Sequence, residues 1–259
     1  MNDQPLADFV QESLRIVKEG EKNGIVLRIY GATAIKIHSP AYGYLYQNLD
    51  RQLSDVDIVT YSRFRPRLEE FFKKLGYKPN KRFNALHGME REIYIDETNR
   101  RILDVFIDRL RFCHVNNLKG RLELDNPTVP LSNLLLGKMQ IVRFDKKDMK
   151  DSIILFRAHE VAETDDDVIN AMYIAKTLSE DWGFYYTSTI NLRNVKDYSA
   201  LYEKEGKISK EDQIIISEGV DKLVDIIEKE PKSLGWKMRA KIGTSKKWYT
   251  EVEEAPELF

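Results

Sequence analysis

Residues 25–60 decide the fold class of this chain. They contain the apolar run IVLRIY at residues 25–30, the segment GATAIKIH at residues 31–38 and the run DVDIVT at residues 55–60. The first and last runs are short and rich in β-branched residues, which is typical of buried strands, whereas the middle segment has helical character and begins at Gly31. A strand, a sharp glycine turn, a helix and a second strand predict an α/β fold for this part of the chain.

Three aspartates fall on the predicted strands. Asp55 and Asp57 lie two positions apart, so their carboxylates point to the same side of the strand. Asp104 lies in a later apolar strand, residues 101–108, which is predicted to form a hairpin with residues 91–95. Carboxylate oxygens are the ligands that Mg²⁺ prefers, and Mg²⁺ keeps room for substrate phosphates. The pattern therefore predicts a phosphoryl- or nucleotidyl-transfer site, although an isolated Asp-x-Asp strand is more often a solvated edge.

The rest of the pattern is mostly helical. Residues 6–18 carry an apolar stripe, and residues 63–75 predict a helix with Ser62 as its N-cap. Apolar side chains recur at helical spacing in residues 128–259, where only helices are expected. The chain is therefore predicted to be α+β, with a mixed sheet flanked by helices in residues 1–127 and an all-α domain after it.

Composition excludes several classes of protein. The chain has 259 residues, and its 41 Lys and Arg against 42 Asp and Glu give a formal net charge of -1, so overall charge does not favour nucleic acid or an anionic membrane. No run of about 18 apolar residues predicts a membrane span, and the N-terminus lacks the pattern of a signal peptide. The single cysteine, Cys113, excludes an intramolecular disulfide. These features predict a soluble cytoplasmic protein.

Two groups of basic residues are candidates for phosphate contacts with RNA, although solvated helix faces are the commoner explanation of such groups. The first group contains Arg63, Arg65, Arg67, Lys73, Lys74, Lys78, Lys81 and Arg82. The second group is interleaved with Trp236, Trp248 and Tyr249, which could stack on unpaired bases, and contains Lys232, Lys237, Arg239, Lys241, Lys246 and Lys247.

The order of these motifs resembles the nucleotidyltransferases of the DNA polymerase β type. The most similar members are the abortive-infection-type nucleotidyltransferase toxins of type IV toxin–antitoxin systems. The resemblance covers residues 25–156 and rests on Gly31-Ala32-Thr33-Ala34-Ile35, Arg51, Asp55-Val56-Asp57, Leu134-Leu135-Leu136-Gly137-Lys138-Met139 and Lys147-Asp148-Met149-Lys150-Asp151. It implies a nucleotidyltransferase-type sheet and a Mg²⁺-dependent transfer of a nucleoside monophosphate from a nucleoside triphosphate to a hydroxyl.

The resemblance also implies roles for single residues. Asp55 and Asp57 would bind a pair of Mg²⁺ ions, and Asp104 would bind the second ion and accept the proton of the attacking hydroxyl. The nucleotide would be bound by Gly31, Ala32, Thr33 and Arg51. Two residues of the later motifs complete the catalytic set implied by the resemblance, namely Lys138, which would neutralise phosphate charge, and Asp151.

Departures from the family pattern leave alternatives open. Ala32 replaces a second Gly or Ser, Leu53 replaces Ser or Thr, and Lys147 replaces Arg. The expected partners are a nucleoside triphosphate, tRNA or another RNA as acceptor, and a cognate antitoxin protein, with no membrane. The alternatives are a catalytically silent nucleotide- or partner-binding protein on the same fold, and an oligomeric scaffold whose carboxylates are surface acids.

Overall fold

The computed structural model describes residues 4–252 of the chain. Within this range the architecture is mixed α/β, with a five-stranded mixed sheet and eleven α-helices, which confirms the prediction at this coarse level. The strands are β1 (Leu27–Tyr30), β2 (Val56–Thr60), β3 (Lys78–Pro79), β4 (Arg91–Asp96), β5 (Arg101–Ile107), β6 (Arg109–Arg111), β7 (Val115–Asn117), β8 (Val161–Ala162) and β9 (Ile169–Asn170). The helices are α1 (Phe9–Lys22), α2 (Gly31–His38), α3 (Gly43–Asn48), α4 (Arg65–Lys74), α5 (Lys81–His87), α6 (Leu131–Met139), α7 (Lys146–Ala158), α8 (Ala171–Glu180), α9 (Trp182–Lys204), α10 (Lys210–Lys229) and α11 (Leu234–Ile242).

The central sheet has the strand order β1-β2-β5-β4-β3. Strands β2 and β5 run parallel, and the other neighbouring pairs are antiparallel. In this register Asp57 of β2 lies opposite Asp104 of β5, and Tyr30 at the end of β1 lies opposite Asp57 on the other side. Because neighbouring strands are about 4.8 Å apart, the pairing places the two aspartates side by side on one face of the sheet.

Side-chain caps explain where several helices begin. The carboxylates of Asp8 and Asp145 accept hydrogen bonds from the backbone N–H three residues on, at the starts of α1 and α7. The prediction of Ser62 as an N-cap is wrong, because this residue lies in a 3₁₀ turn and α4 begins three residues later. Pro66 favours the first turn of a helix and so fixes that later start. The N–H of Ser62 instead donates to Asp108 Oδ1 at 3.0 Å.

The prediction of only helices after residue 128 is also wrong at one place. Strands β8 and β9 pair in parallel there, with Val161 opposite Ile169. Strands of two residues carry too little alternation to be distinguished from a loop, and they exist only because the chain returns to pair with itself. Sequence reasoning likewise missed α5, which Asn80 caps, and the β6–β7 hairpin.

Helix α6 lies at the junction between the sheet and the later helices. It contacts α2, α7, α8 and α9, and its leucines are almost completely buried. Helix α10 packs against α7, α8 and α9. The buried apolar side chains of both parts form one continuous core, and the domain boundary at residue 127 stays a prediction. Within residues 4–252, no helix is both long and apolar enough to span a membrane.

Candidate active site

A cleft of about 510 Å³ opens beside β2 and β5. The structure brings five predicted site residues to it, which are Gly31, Asp55, Asp57, Asp104 and Lys138. One wall is apolar and consists of Phe106, Leu110, Phe112, Ile141 and Val142. Another wall is provided by residues 246–252, here named the C-terminal strap, through Tyr249, Glu251 and Val252.

Gly31 allows the Asp57 carboxylate to lie against the backbone. The φ angle of Gly31 is +66°, in the left-handed region. A Cβ atom on Gly31 would lie only 2.1 Å from Asp57 Oδ2. A residue with a side chain would therefore strain the backbone and collide with the carboxylate. The glycine turn thus places the N-terminus of α2 next to Asp57.

Asp55 and Asp57 carry the unpaired carboxylates of the cleft. Among the residues that the structure describes, no Lys or Arg forms an ion pair with either, and Asp55 accepts one hydrogen bond, from Ser54 at 3.3 Å. Desolvation raises the pKa of Asp57 well above its ordinary value. The charges of Asp55 and Asp104 raise it further, whereas Lys138 lowers it. Two adjacent, unneutralised carboxylates form an arrangement that a divalent cation would stabilise.

Asp104 is held by an arginine that the sequence did not single out. Arg91 Nε lies 2.8 Å from Oδ1 and 3.0 Å from Oδ2 of Asp104, and its Nη2 contacts Oδ2. The guanidinium lies over three aromatic rings, with centroid distances of 5.7 Å to Phe83, 5.3 Å to Phe106 and 5.8 Å to Phe112. Burial raises the pKa of Asp104, and Arg91 opposes this shift.

Lys138 reaches the cleft because α6 approaches β1 closely. At Gly137 a Cβ atom would lie 1.8 Å from Tyr30 Oη, so only glycine permits this packing. The Tyr30 hydroxyl donates to the carbonyl oxygen of Asn133 at 2.9 Å and fixes the helix further. Burial lowers the pKa of Lys138, but its two aspartate partners outweigh this and raise the pKa well above its ordinary value.

A buried ion network lies behind Lys138. Its Nζ atom lies 2.9 Å from Asp148 Oδ1 and 2.8 Å from Asp151 Oδ2. Arg51 donates two hydrogen bonds to Asp151, from Nε at 2.6 Å and Nη2 at 2.8 Å. Burial raises the pKa of Asp151, but Lys138 and Arg51 outweigh it and leave the pKa below its ordinary value. Asp148 lines the cleft, whereas Arg51 and Asp151 do not, so both act on the cleft through Lys138.

The other two residues predicted to bind the nucleotide are buried in α2. Ala32 and Thr33 are 5% and 1% exposed, and neither lines the cleft. The Thr33 hydroxyl has no hydrogen-bond partner among the described residues. Gly31 is therefore the member of this turn that faces the cleft.

Sequence reasoning missed Arg91, Tyr30 and the strap. A signal for Arg91 was present in the hairpin, because its register pairs Ile93 with Asp104 and so puts Arg91 on the same face at a diagonal position. Tyr30 and Gly137 gave no such signal, because their contact depends on how α6 packs. The strap is held by a backbone hydrogen bond from Thr250 N to the Cys113 carbonyl at 3.0 Å, which no local pattern predicts.

The donor set fits one divalent cation. Asp57 in β2 and Asp55 just before this strand offer unpaired oxygen ligands, whereas Asp104 is engaged by Arg91. Within residues 4–252, no three acidic, histidine or cysteine side chains are grouped closely enough for a preformed metal site. Comparison of the chain with protein-family models, with curated proteins and with solved structures gave no match.

Proposed function

We propose that this protein is a nucleotidyltransferase with a sheet of the DNA polymerase β type, which transfers a nucleoside monophosphate from a nucleoside triphosphate to a hydroxyl. One observation carries the proposal. The unpaired carboxylates of Asp55 and Asp57, the glycine turn at Gly31 and the partly buried ammonium of Lys138 converge on one cleft. The carboxylates would bind a metal ion. The helix N-terminus and the Lys138 ammonium would bind the phosphates of a triphosphate.

The proposed role of each residue combines its surroundings with what the family resemblance implies. Asp55 and Asp57 would hold a Mg²⁺ ion, which supplies charge neutralisation to the reacting phosphate. Lys138 stays protonated at neutral pH because its pKa is raised, so it would bind phosphate oxygens. The backbone N–H of Gly31 would donate to a phosphate at the start of α2. Asp104, beside Asp57, would accept the proton of the attacking hydroxyl.

The proposed acceptor is the 3′ hydroxyl of tRNA, as the family resemblance implies. Phe112, in the apolar wall, offers aromatic surface beside the carboxylates, on which an unpaired base would stack.

The test is transfer of label from each of the four α-labelled nucleoside triphosphates to total tRNA in the presence of Mg²⁺. We expect transfer by the wild-type chain and at least about a 100-fold loss in Asp57→Asn, since even groups outside a metal's ligand shell cost 10–100-fold. Asp225→Asn is the matched control, because Asp225 pairs with Lys229 on the exposed face of α10. Transfer that persists in Asp57→Asn would overturn the assignment of this cleft.

A catalytically silent nucleotide-binding protein is the second candidate, and the pairing of Arg91 with Asp104 favours it. That pairing engages the carboxylate assigned to the proton transfer. This candidate predicts a calorimetric binding signal with a nucleoside triphosphate that Lys138→Met abolishes, and no transfer to any RNA.

A further inference from the structure

We infer that the cleft takes one divalent cation rather than two, and that Arg91 supplies the second positive charge as a positioning residue acting through Asp104. The inference rests on the proposed nucleotidyl transfer at this cleft. It departs from the pair of ions that the family resemblance implies.

The balance of charges in the cleft favours a single divalent cation. The Arg91 guanidinium neutralises Asp104, and the cations Lys138 and Arg51 neutralise the carboxylates of Asp148 and Asp151. Arg143 and Glu251 also line the cleft and carry opposite charges. The groups left over are the unpaired carboxylates of Asp55 and Asp57, with a formal charge of about -2 when both are ionised. One divalent cation balances that charge.

Arg91 is fixed in place by its surroundings. Its side chain is 19% exposed and contacts both oxygens of Asp104, whose own side chain is 8% exposed. The rings of Phe83, Phe106 and Phe112 surround the guanidinium, which gains cation–π attraction there. Separating this guanidinium from the carboxylate would leave buried charges unpaired, which costs free energy.

A second cation at Asp104 would lie next to this guanidinium. The two like charges would repel each other, and the double charge of the metal ion doubles that repulsion relative to two unit charges. The same guanidinium keeps a positive charge beside Asp57 permanently, so Asp57 and Asp104 coexist in neighbouring strands without a second ion.

The test counts Mn²⁺ ions bound to the full chain by electron paramagnetic resonance, with neither nucleotide nor acceptor present. We expect one ion in the wild-type chain, two in Arg91→Met and one in the double variant Arg91→Met/Asp104→Asn. A purely structural role of Arg91 would not raise the number of bound ions. Arg109→Met is the matched control, because Arg109 pairs with Glu90 outside the cleft, and it keeps one ion.

Two ions in the wild-type chain, or a single ion in folded Arg91→Met, would overturn the inference. If Arg91→Met fails to fold, Asp104→Asn decides the matter, because one bound ion supports the inference and none makes Asp104 a ligand. The ion count requires no transfer reaction. One ion without transfer would therefore contradict the proposed function and leave this inference standing.

Discussion

Glycine is required at position 31 both by the backbone conformation and by the position of the Asp57 carboxylate. Its left-handed φ angle makes the turn into α2, and the missing side chain leaves the space that Asp57 Oδ2 occupies. Gly24 and Gly120 also have left-handed φ angles, but a Cβ atom added at either of them would have no neighbouring atom within 4 Å. The turn at Gly31 therefore depends on glycine for two reasons, and the other two turns for one.

We expect Gly31→Ala to lower the free energy of unfolding by about 2–4 kcal/mol, from backbone strain and from overlap with the carboxylate. It should also abolish Mn²⁺ binding, because Asp57 must move. Urea unfolding and the Mn²⁺ titration measure the two effects. Gly24→Ala is the control and carries only the backbone cost of about 1 kcal/mol. Equal losses in the two variants would contradict the close contact between Gly31 and Asp57.

We expect protonation of His114 to lower the stability of the protein in mild acid. Burial lowers its pKa from 6.5 to about 4, and Asp181 opposes the shift. The ring stacks on Phe184 at 5.1 Å and contacts Thr187 Oγ1 at 2.9 Å. Because the unfolded chain takes up the proton first, this contribution is complete above pH 6.5 and is lost as the pH falls towards 4, by about 3 kcal/mol at most.

The measurement is the free energy of unfolding as a function of pH in the wild-type chain and in His114→Gln. We expect the difference between the two curves to shrink between pH 6.5 and pH 4. A difference that stays constant would show that His114 titrates alike in the folded and unfolded chain. His38 acts in the opposite direction, because Asp125 and Asp167 outweigh burial and raise its pKa.

At the scale of secondary-structure elements, α6 and α7 together position the Lys138 ammonium in the cleft. Gly137 sets the distance of α6 from β1, and Lys138 then extends between the cleft and two aspartates of α7. Arg51, in the loop before β2, holds Asp151 from behind. The position of the Lys138 ammonium is thus determined by three elements that meet in a buried ion network.

We expect Arg51→Met to lower the free energy of unfolding by about 3–5 kcal/mol, because it leaves the buried Asp151 with one cation instead of two. The double variant Arg51→Met/Asp151→Asn should recover part of this loss. Lys229→Ala breaks an exposed pair with Asp225 and should cost less than about 1 kcal/mol. Thermal and urea unfolding compare the variants, and a loss as small as that of Lys229→Ala would contradict the buried pairing.

Much of the secondary structure was predictable from local pattern. The strands β1, β2, β4 and β5 lie within two residues of their predicted bounds, because short β-branched runs and turn residues mark them. The order of strands was not predictable, since the parallel pairing of β2 with β5 depends on packing between distant segments. The strands β8 and β9 were missed because two residues carry too little alternation to mark a strand.

The candidate site was predictable as a set of residue types and less so as a set of contacts. Spacing alone placed Asp55 and Asp57 on one face, and the strand pattern added Asp104. Which buried charges pair was not predictable, since Arg51 was expected at the nucleotide and instead contacts Asp151. The pairing of Arg91 with Asp104 depends on the hairpin register, which the strand pattern alone does not determine.

At the scale of the whole molecule, the strap connects the later helices to the cleft. Trp248 Nε1 donates to Thr187 Oγ1 at 3.1 Å, and its ring packs against Tyr186. The strap then crosses to the sheet side, where Thr250 N donates to the Cys113 carbonyl at 3.0 Å. Tyr249, Glu251 and Val252 of the strap line the cleft.

We expect Trp248→Ala to speed hydrogen exchange of the Thr250 amide at least about tenfold, because the strap loses its anchor on α9. The amide of Val105, in the middle of β5, should be unaffected. Trp236→Ala is the control, since Trp236 is also half-buried and packs against Tyr185 away from the strap. Similar exchange at Thr250 in all three proteins would show that Trp248 does not hold the strap.

The ion pair between Arg51 and Asp151 joins residues 100 positions apart in the sequence. Closing a loop of this length costs chain entropy before the ion pair contributes any stabilisation. We therefore expect the pair to form late in folding. A sheet that forms first would present Asp57 and Asp104 before Lys138 has arrived. Until Lys138 arrives, the Asp57 carboxylate would lack the positive charge that lowers its pKa in the folded chain.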